Sequence, residues 1–203
     1  YKWTDGTQTP KQVTWTINRA TVSVPSQSGS LTYTGSTQSP TWAGYDSSKM
    51  TIGGTTSGTN AGSYNATFTP GSNYQWADGG SAEKAVAWTI GKATGSLSLN
   101  KSSISLNVSK MSDTITVTRP GTGVISAVSS APSVASVSVS GNVVTVTGKA
   151  KGNATITVSV AADTNYTAPA DKTCSVNVTL PTNTLNDNDW ATIKPVSYTH
   201  LTL

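Results

Sequence analysis

The residues best equipped for chemistry are tryptophans, a few aspartates and one thiol. Trp3, Trp42 and Trp76 could stack on sugar rings, since an indole offers a broad apolar face with one polar handle. Trp42 and Trp76 are therefore the candidate ligand-binding residues, and carbohydrate is the ligand class. Asn186-Asp187-Asn188-Asp189 clusters oxygens that suit calcium, but it lacks the central Gly and the late bidentate Glu of a calcium-binding loop, so it reads as a turn. Asp5 and Asp78 precede Gly6 and Gly79; Asp-Gly supplies turn geometry, and Glu83, the acid near Asp78, is replaced by Pro10 near Asp5. Cys174 is the only cysteine and His200 the only histidine. A lone thiol in phase with Val176, Val178 and Leu180 is a small core residue, so no nucleophile–base pair and no cysteine-rich metal site follow from it. No catalytic residue, metal site or cofactor is expected.

The elements that carry these residues show a repeat. Tyr1 to Ala20 (YKWTDGTQTPKQVTWTINRA) aligns without a gap to Tyr74 to Ala93 (YQWADGGSAEKAVAWTIGKA), a spacing of 73 residues. That period fits a small domain and is too long for a solenoid. Val13, Trp15 and Ile17 alternate with polar residues, as do Val86, Trp88 and Ile90, so each block is expected to end in a closing strand with its apolar side chains in the core. Trp3 to Gly6 and Trp76 to Gly79 are expected to be turns. Residues 1–20 thus read as the C-terminal remnant of a preceding repeat, 21–93 as a complete unit and 94–180 as a different one, with linker and tail in 181–203.

Composition agrees with an all-β chain. Of the 203 residues 11% are charged, and valine is prominent in the 35% that are hydrophobic. Ser and Thr supply roughly a third of the residues, well above ordinary usage. Thr and Val suit pleated, half-buried surfaces, and no stretch has a 3.6-residue apolar period. The net charge of +4 comes from scattered single Lys and Arg residues, which argues against a nucleic-acid partner. No apolar run is long enough to span a membrane as a helix. The lack of disulfides does not argue against export.

In 21–93, strands are expected at Thr21–Val24, Ser30–Thr34, Pro40–Tyr45, Lys49–Ile52 and Gly62–Pro70, the last with Tyr64, Ala66 and Phe68 on one face. In 94–180, alternation is clean at Leu97/Leu99, Ile104/Leu106/Val108, Ile115/Val117, Val137/Val139, Val144/Val146 and Ile156/Val158/Val160. Ser140-Gly141-Asn142 and Gly152-Asn153 read as hairpin turns.

Two resemblances follow. Leu31-Thr32-Tyr33-Thr34-Gly35, Gln38-Ser39-Pro40 and Asn60-Ala61-Gly62-Ser63-Tyr64 resemble a bacterial immunoglobulin-like module with a YTG/QSP/NAGSY signature. Pro132 to Val137, Ser140 to Val146 and Gly148 to Val158 are similar to the bacterial immunoglobulin-like group 2 domain. Leu185 to Ile193 resembles the opening of a further domain that follows such modules in gut-bacterial and phage-like proteins, and Val196–Leu203 resembles translated sequencing adapter, hence non-native. The resemblances imply tandem immunoglobulin-like Greek-key β-sandwiches without catalytic apparatus. The expected role is a spacer that presents a binding domain on a bacterial surface or phage tail; an adhesin or carbohydrate-binding module is the alternative. Expected partners are neighbouring domains of the same chain, then cell-surface carbohydrate or a host protein. The expected location is extracellular, on a cell surface or a virion. The short junctions imply a moderately stiff rod, with each domain adding roughly 30 Å.

Overall fold

The computed structural model describes residues 1–179. Every regular element among them is a strand, and the chain divides into two compact units, the first spanning Tyr1–Ala93 and the second beginning at Thr94. Both are immunoglobulin-like β-sandwiches, so the all-β fold class stands. The segment 181–203, including Asn186–Asp189, His200 and the tail, lies outside the described residues.

The second unit follows the constant-type immunoglobulin order. Its strands are β9 (Ser98–Leu99), β10 (Ser103–Asn107), β11 (Ser112–Thr118), β12 (Ile125–Ser129), β13 (Ala135–Ser140), β14 (Val143–Gly148), β15 (Gly152–Val160) and β16 (Lys172–Thr179). One sheet runs β13-β14-β11-β9 and the other β10-β16-β15-β12. The opening strand is split: β9 pairs antiparallel with β11, and β10 pairs parallel with β16 in the opposite sheet. This is the two-sheet Greek-key arrangement with the first strand shared between layers. Period-two alternation fills the core with Ile104, Leu106, Ile115, Val117, Val144, Val146, Ile156, Val158, Cys174, Val176 and Val178. Three expectations change. Val108 is exposed, because β10 ends at Asn107 and a turn closed by Asn107 and Lys110 follows. Val139 lies near the β13–β14 turn and is exposed too. Gly152 and Asn153 open β15 instead of forming a turn, whereas Gly141-Asn142 is a two-residue hairpin loop in which Gly141 takes a φ of 56°.

The first unit has β1 (Ala20–Val22), β2 (Ser26–Ser28), β3 (Leu31–Thr32), β4 (Thr41–Ala43), β5 (Met50–Gly54), β6 (Gly62–Pro70), β7 (Tyr74–Trp76) and β8 (Lys84–Gly91). A four-stranded sheet runs β3-β8-β6-β5, with β3 parallel to β8. The opposing layer consists of two short ladders, β2 with β4 and β1 with β7. Between them Met50, Ala66, Phe68, Trp76, Trp88 and Ile90 are buried. The side-chain amide of Gln27 ties the layers: its nitrogen donates to the Thr89 carbonyl (3.1 Å) and its oxygen accepts from the Thr89 N–H (2.9 Å). Gln27 thus serves as a one-residue strand partner on the edge of β8 opposite β6, ahead of the short β3 pairing.

Residues 13–17 form no strand, contrary to expectation. Val13, Trp15 and Ile17 are exposed at 79%, 78% and 77%. The physical reason is the absence of a partner. Val86, Trp88 and Ile90 owe their strand to β6 on one side and β3 on the other, and no strand among the described residues flanks 13–17.

Candidate functional site

Trp42 sits in β4 directly opposite Gln27. Its ring meets Phe68 edge-on, with centroids 4.9 Å apart and planes at 79°. Tyr45 leans on the same Phe68 ring at 5.7 Å. Trp42 is half-buried and packs against the first unit's core.

Trp76 closes β7 and is only 1% exposed. Its indole N–H donates to the Ala82 carbonyl at 2.7 Å, and the Lys84 ammonium lies 5.6 Å from the ring centroid. A sugar cannot stack on a ring whose faces are already covered, so the stacking expectation does not carry over to Trp76. Trp42 and Trp76 are core residues first; only Trp42 keeps part of its surface open.

Trp88 is also 1% exposed. It stacks on Tyr64 with centroids 4.6 Å apart and planes at 23°, and its N–H donates to the Thr55 carbonyl at 2.7 Å. The Tyr64 hydroxyl donates to the Asn60 carbonyl at 2.7 Å. Gly58 lies against the Tyr64 ring, where a Cβ would come within 2.5 Å of it. The NAGSY segment thus positions one aromatic pair, with each polar tip satisfied as a buried Tyr or Trp requires.

The two Trp-x-Asp-Gly blocks form the same turn. In one, the Gly79 N–H donates to the Trp76 carbonyl (2.9 Å), the Trp76 N–H to the Gly80 carbonyl (2.7 Å), and the Gly80 N–H to Asp78 Oδ1 (3.0 Å). In the other, Gly6 donates to Trp3 (2.9 Å), Trp3 to the Thr7 carbonyl (2.9 Å), and Thr7 to Asp5 Oδ1 (3.0 Å). The indole N–H of Trp3 reaches the Thr9 carbonyl at 2.9 Å, matching Trp76 to Ala82. Lys11 pairs with Asp5, and Lys84 with Asp78. Gly6 and Gly79 take φ values of 83° and 85°, which a glycine adopts without a Cβ penalty. The lysine beside each carboxyl, together with the turn N–H groups, holds Asp5 and Asp78 below the usual carboxylate range. Both aspartates are turn clasps.

The second unit uses its aspartates in the same way. Asp113 takes Lys101 on one oxygen (2.6 Å) and Lys110 on the other (2.9 Å), and these ammonium groups push its carboxyl well below the ordinary range. Asp163 accepts N–H donors from Thr122 (2.6 Å), Asn165 (2.8 Å) and Tyr166 (2.8 Å), which clasps two loops and lowers its pKa. Cys174 is fully buried, and burial pushes its thiol up, away from the reactive thiolate. Among the described residues no three His, Cys, Asp or Glu side chains gather as a metal site, and no helix is long and apolar enough to cross a membrane.

Gln27 and Asp163 escaped the sequence reading. A polar residue in a polar stretch carries no periodic signal, and their roles come from partners 62 and 41 residues away.

Neither a protein-family model nor a curated protein matches the chain. Solved structures similar to it include domains 4 and 5 of the S-layer protein SbsC, at 18% identity over 69% of this chain and 82% of that one, with a TM-score of 0.34. The fibronectin(III)-like modules of Clostridium thermocellum CbhA match at 14% identity over 81% and 91%, TM-score 0.32. Tandem Ig repeats of Dlar match at 8% identity over 81% and 95%, TM-score 0.33. Likeness at these scores carries no functional assignment.

Proposed function

We propose that this chain is a non-catalytic spacer: consecutive immunoglobulin-like modules, of the YTG/NAGSY type and then the group 2 type, that hold a binding domain away from a bacterial surface or phage tail. The observation that supports it most is the recurrence, 73 residues apart, of a block whose Asp–Lys pair is spent on its own turn. Asp5, Asp46, Asp78 and Asp113 each pair with a lysine, and Asp163 holds backbone N–H groups. Residues committed to clasps are poorly placed for turnover, and such modules serve length and display. An extracellular, cell-surface or virion setting fits this role.

The reading in which the chain binds glycans directly rests on Trp42, whose ring is half-buried. The two readings separate on a glycan array probed with the whole chain. A spacer gives no saturable signal. Saturable binding that disappears in Trp42→Phe, a change that keeps a ring against Phe68, overturns the spacer in favour of a carbohydrate-binding module.

A further inference from the structure

Lys11 to Asn18 (KQVTWTIN) has the chemistry of β8 without its surroundings. Residue by residue it matches Lys84 to Gly91 (KAVAWTIG). Burial along β8 alternates: Val86 is half-buried, Trp88 and Ile90 are buried, and Ala85, Ala87, Thr89 and Gly91 are exposed. Every inward-facing residue recurs in the first copy, as Val13, Trp15 and Ile17. The strand's differences, Gln12 for Ala85, Thr14 for Ala87 and Asn18 for Gly91, all fall at positions that face outward in β8. The first copy therefore keeps the face that a core would need, yet exposes it more than three-quarters. Isolated exposed apolar residues need no explanation, but a period-two stripe of Val, Trp and Ile does.

The turn ahead of the segment is already formed. Trp3, Asp5, Gly6, Thr7 and Lys11 reproduce the hydrogen bonds of Trp76, Asp78, Gly79, Gly80 and Lys84. Lys11 lies 5.7 Å from the Trp3 ring centroid, as Lys84 lies 5.6 Å from that of Trp76. The segment thus begins from the same folded turn that launches β8.

What β8 meets defines what this segment fits. Its antiparallel neighbour β6 runs from Gly62 opposite Ile90 to Phe68 opposite Lys84. Its parallel neighbour β3 sets Leu31 opposite Ile90, and Gln27 caps Thr89. All these partners lie within residues 20–73. We infer that Lys11–Asn18 is a docking strand whose partner is an immunoglobulin-like half-module of the 20–73 kind with its closing-strand slot empty. The strand fills the slot between that module's counterparts of β3 and β6 and buries Val13, Trp15 and Ile17. A second copy of this chain is a poorer occupant, since its own slot is filled by β8. This interface follows from the repeat and does not depend on the spacer role.

The test joins a copy of residues 20–73 directly ahead of Tyr1 of the whole chain, which restores the 73-residue spacing. With fluorotryptophan labelling, the Trp15 fluorine signal, assigned through Trp15→Phe, is expected to move toward that of Trp88 and to lose its response to a soluble quencher, with the protein monomeric. A Trp15 signal that stays quencher-accessible in the fusion overturns the inference; a second fusion with residues 74–92 in place of 1–19 then shows whether slot or strand is at fault. Protection of Trp15 in the unfused chain, rising with concentration alongside dimer formation, also overturns it, in favour of exchange between copies.

Discussion

Trp15 and Trp88 occupy equivalent repeat positions but should respond very unequally to the same substitution. Trp88→Ala removes a side chain 1% exposed, breaks its stack on Tyr64 and leaves the Thr55 carbonyl without its indole donor. Truncating a buried Trp costs about 3–5 kcal/mol, and the stacked pair accounts for about 1 kcal/mol of such an effect. Trp15→Ala removes a ring 78% exposed, and surface changes stay within about 0.5 kcal/mol. The expected difference is about 4 kcal/mol, close to a thousand-fold in the unfolding constant. A unit of this size is stable by only about 4–11 kcal/mol, so Trp88→Ala should leave the first unit at the edge of folding. The assay is urea unfolding followed by tryptophan fluorescence in a Trp190→Phe background. Trp3, Trp15, Trp42, Trp76 and Trp88 all precede Thr94, so the signal then follows the first unit. With a slope of about 1 kcal/mol per molar urea, the midpoint should drop by about 4 M for Trp88→Ala and by less than about 0.5 M for Trp15→Ala. Equal shifts, or a Trp88→Ala cost below about 1 kcal/mol, would refute the assignment of one copy to a core and the other to solvent.

Gln27→Ala removes both hydrogen bonds to Thr89 and should cost the first unit about 1–2 kcal/mol, whereas Gln27→Glu loses the donor and keeps the acceptor, giving an intermediate loss in the same urea titration. Asp113 has a folded-state pKa lowered by Lys101 and Lys110, so its contribution is present above the unfolded carboxylate pKa of about 3.9 and is lost as pH falls toward the lower folded value. Asp113→Asn should therefore flatten the acid side of the second unit's stability curve below about pH 4 while lowering the plateau at neutral pH, as read by circular dichroism. Cys174 should resist a thiol-labelling reagent in the folded chain and react once urea opens the second unit; fast labelling without denaturant would contradict its burial.

Much of the second unit could be read from the chain because its strands obey one rule. Ile115/Val117, Val144/Val146 and Ile156/Val158/Val160 alternate, and each set points into one shared core. β12 was illegible for the opposite reason: Val128 faces out at 66% exposure while Ser129 faces in and accepts the Ala131 N–H. β2 is Ser-Gln-Ser and carries no apolar signal at all. At the candidate site, an indole reads the same whether it will stack on a sugar or fill a core. Trp76 was resolved only by the packing of β7 against the rest of its unit.

The repeated block separates the two kinds of information. In both copies the sequence alone determined the turn, because Trp, Asp, Gly and Lys at fixed short spacing satisfy one another within the nine residues from Trp3 to Lys11 and from Trp76 to Lys84. The strand that follows was not determined locally. Val86-Ala87-Trp88-Thr89-Ile90 is extended and buried because β6 pairs along its length, while on its other edge β3 meets Ile90 and the Gln27 amide takes up Thr89. Val13-Thr14-Trp15-Thr16-Ile17 has the same apolar face and lacks those partners, so it remains outside any sheet. A turn closes its hydrogen bonds over a few residues, whereas a strand borrows its partners from distant chain, and only the tertiary structure decides whether they are there.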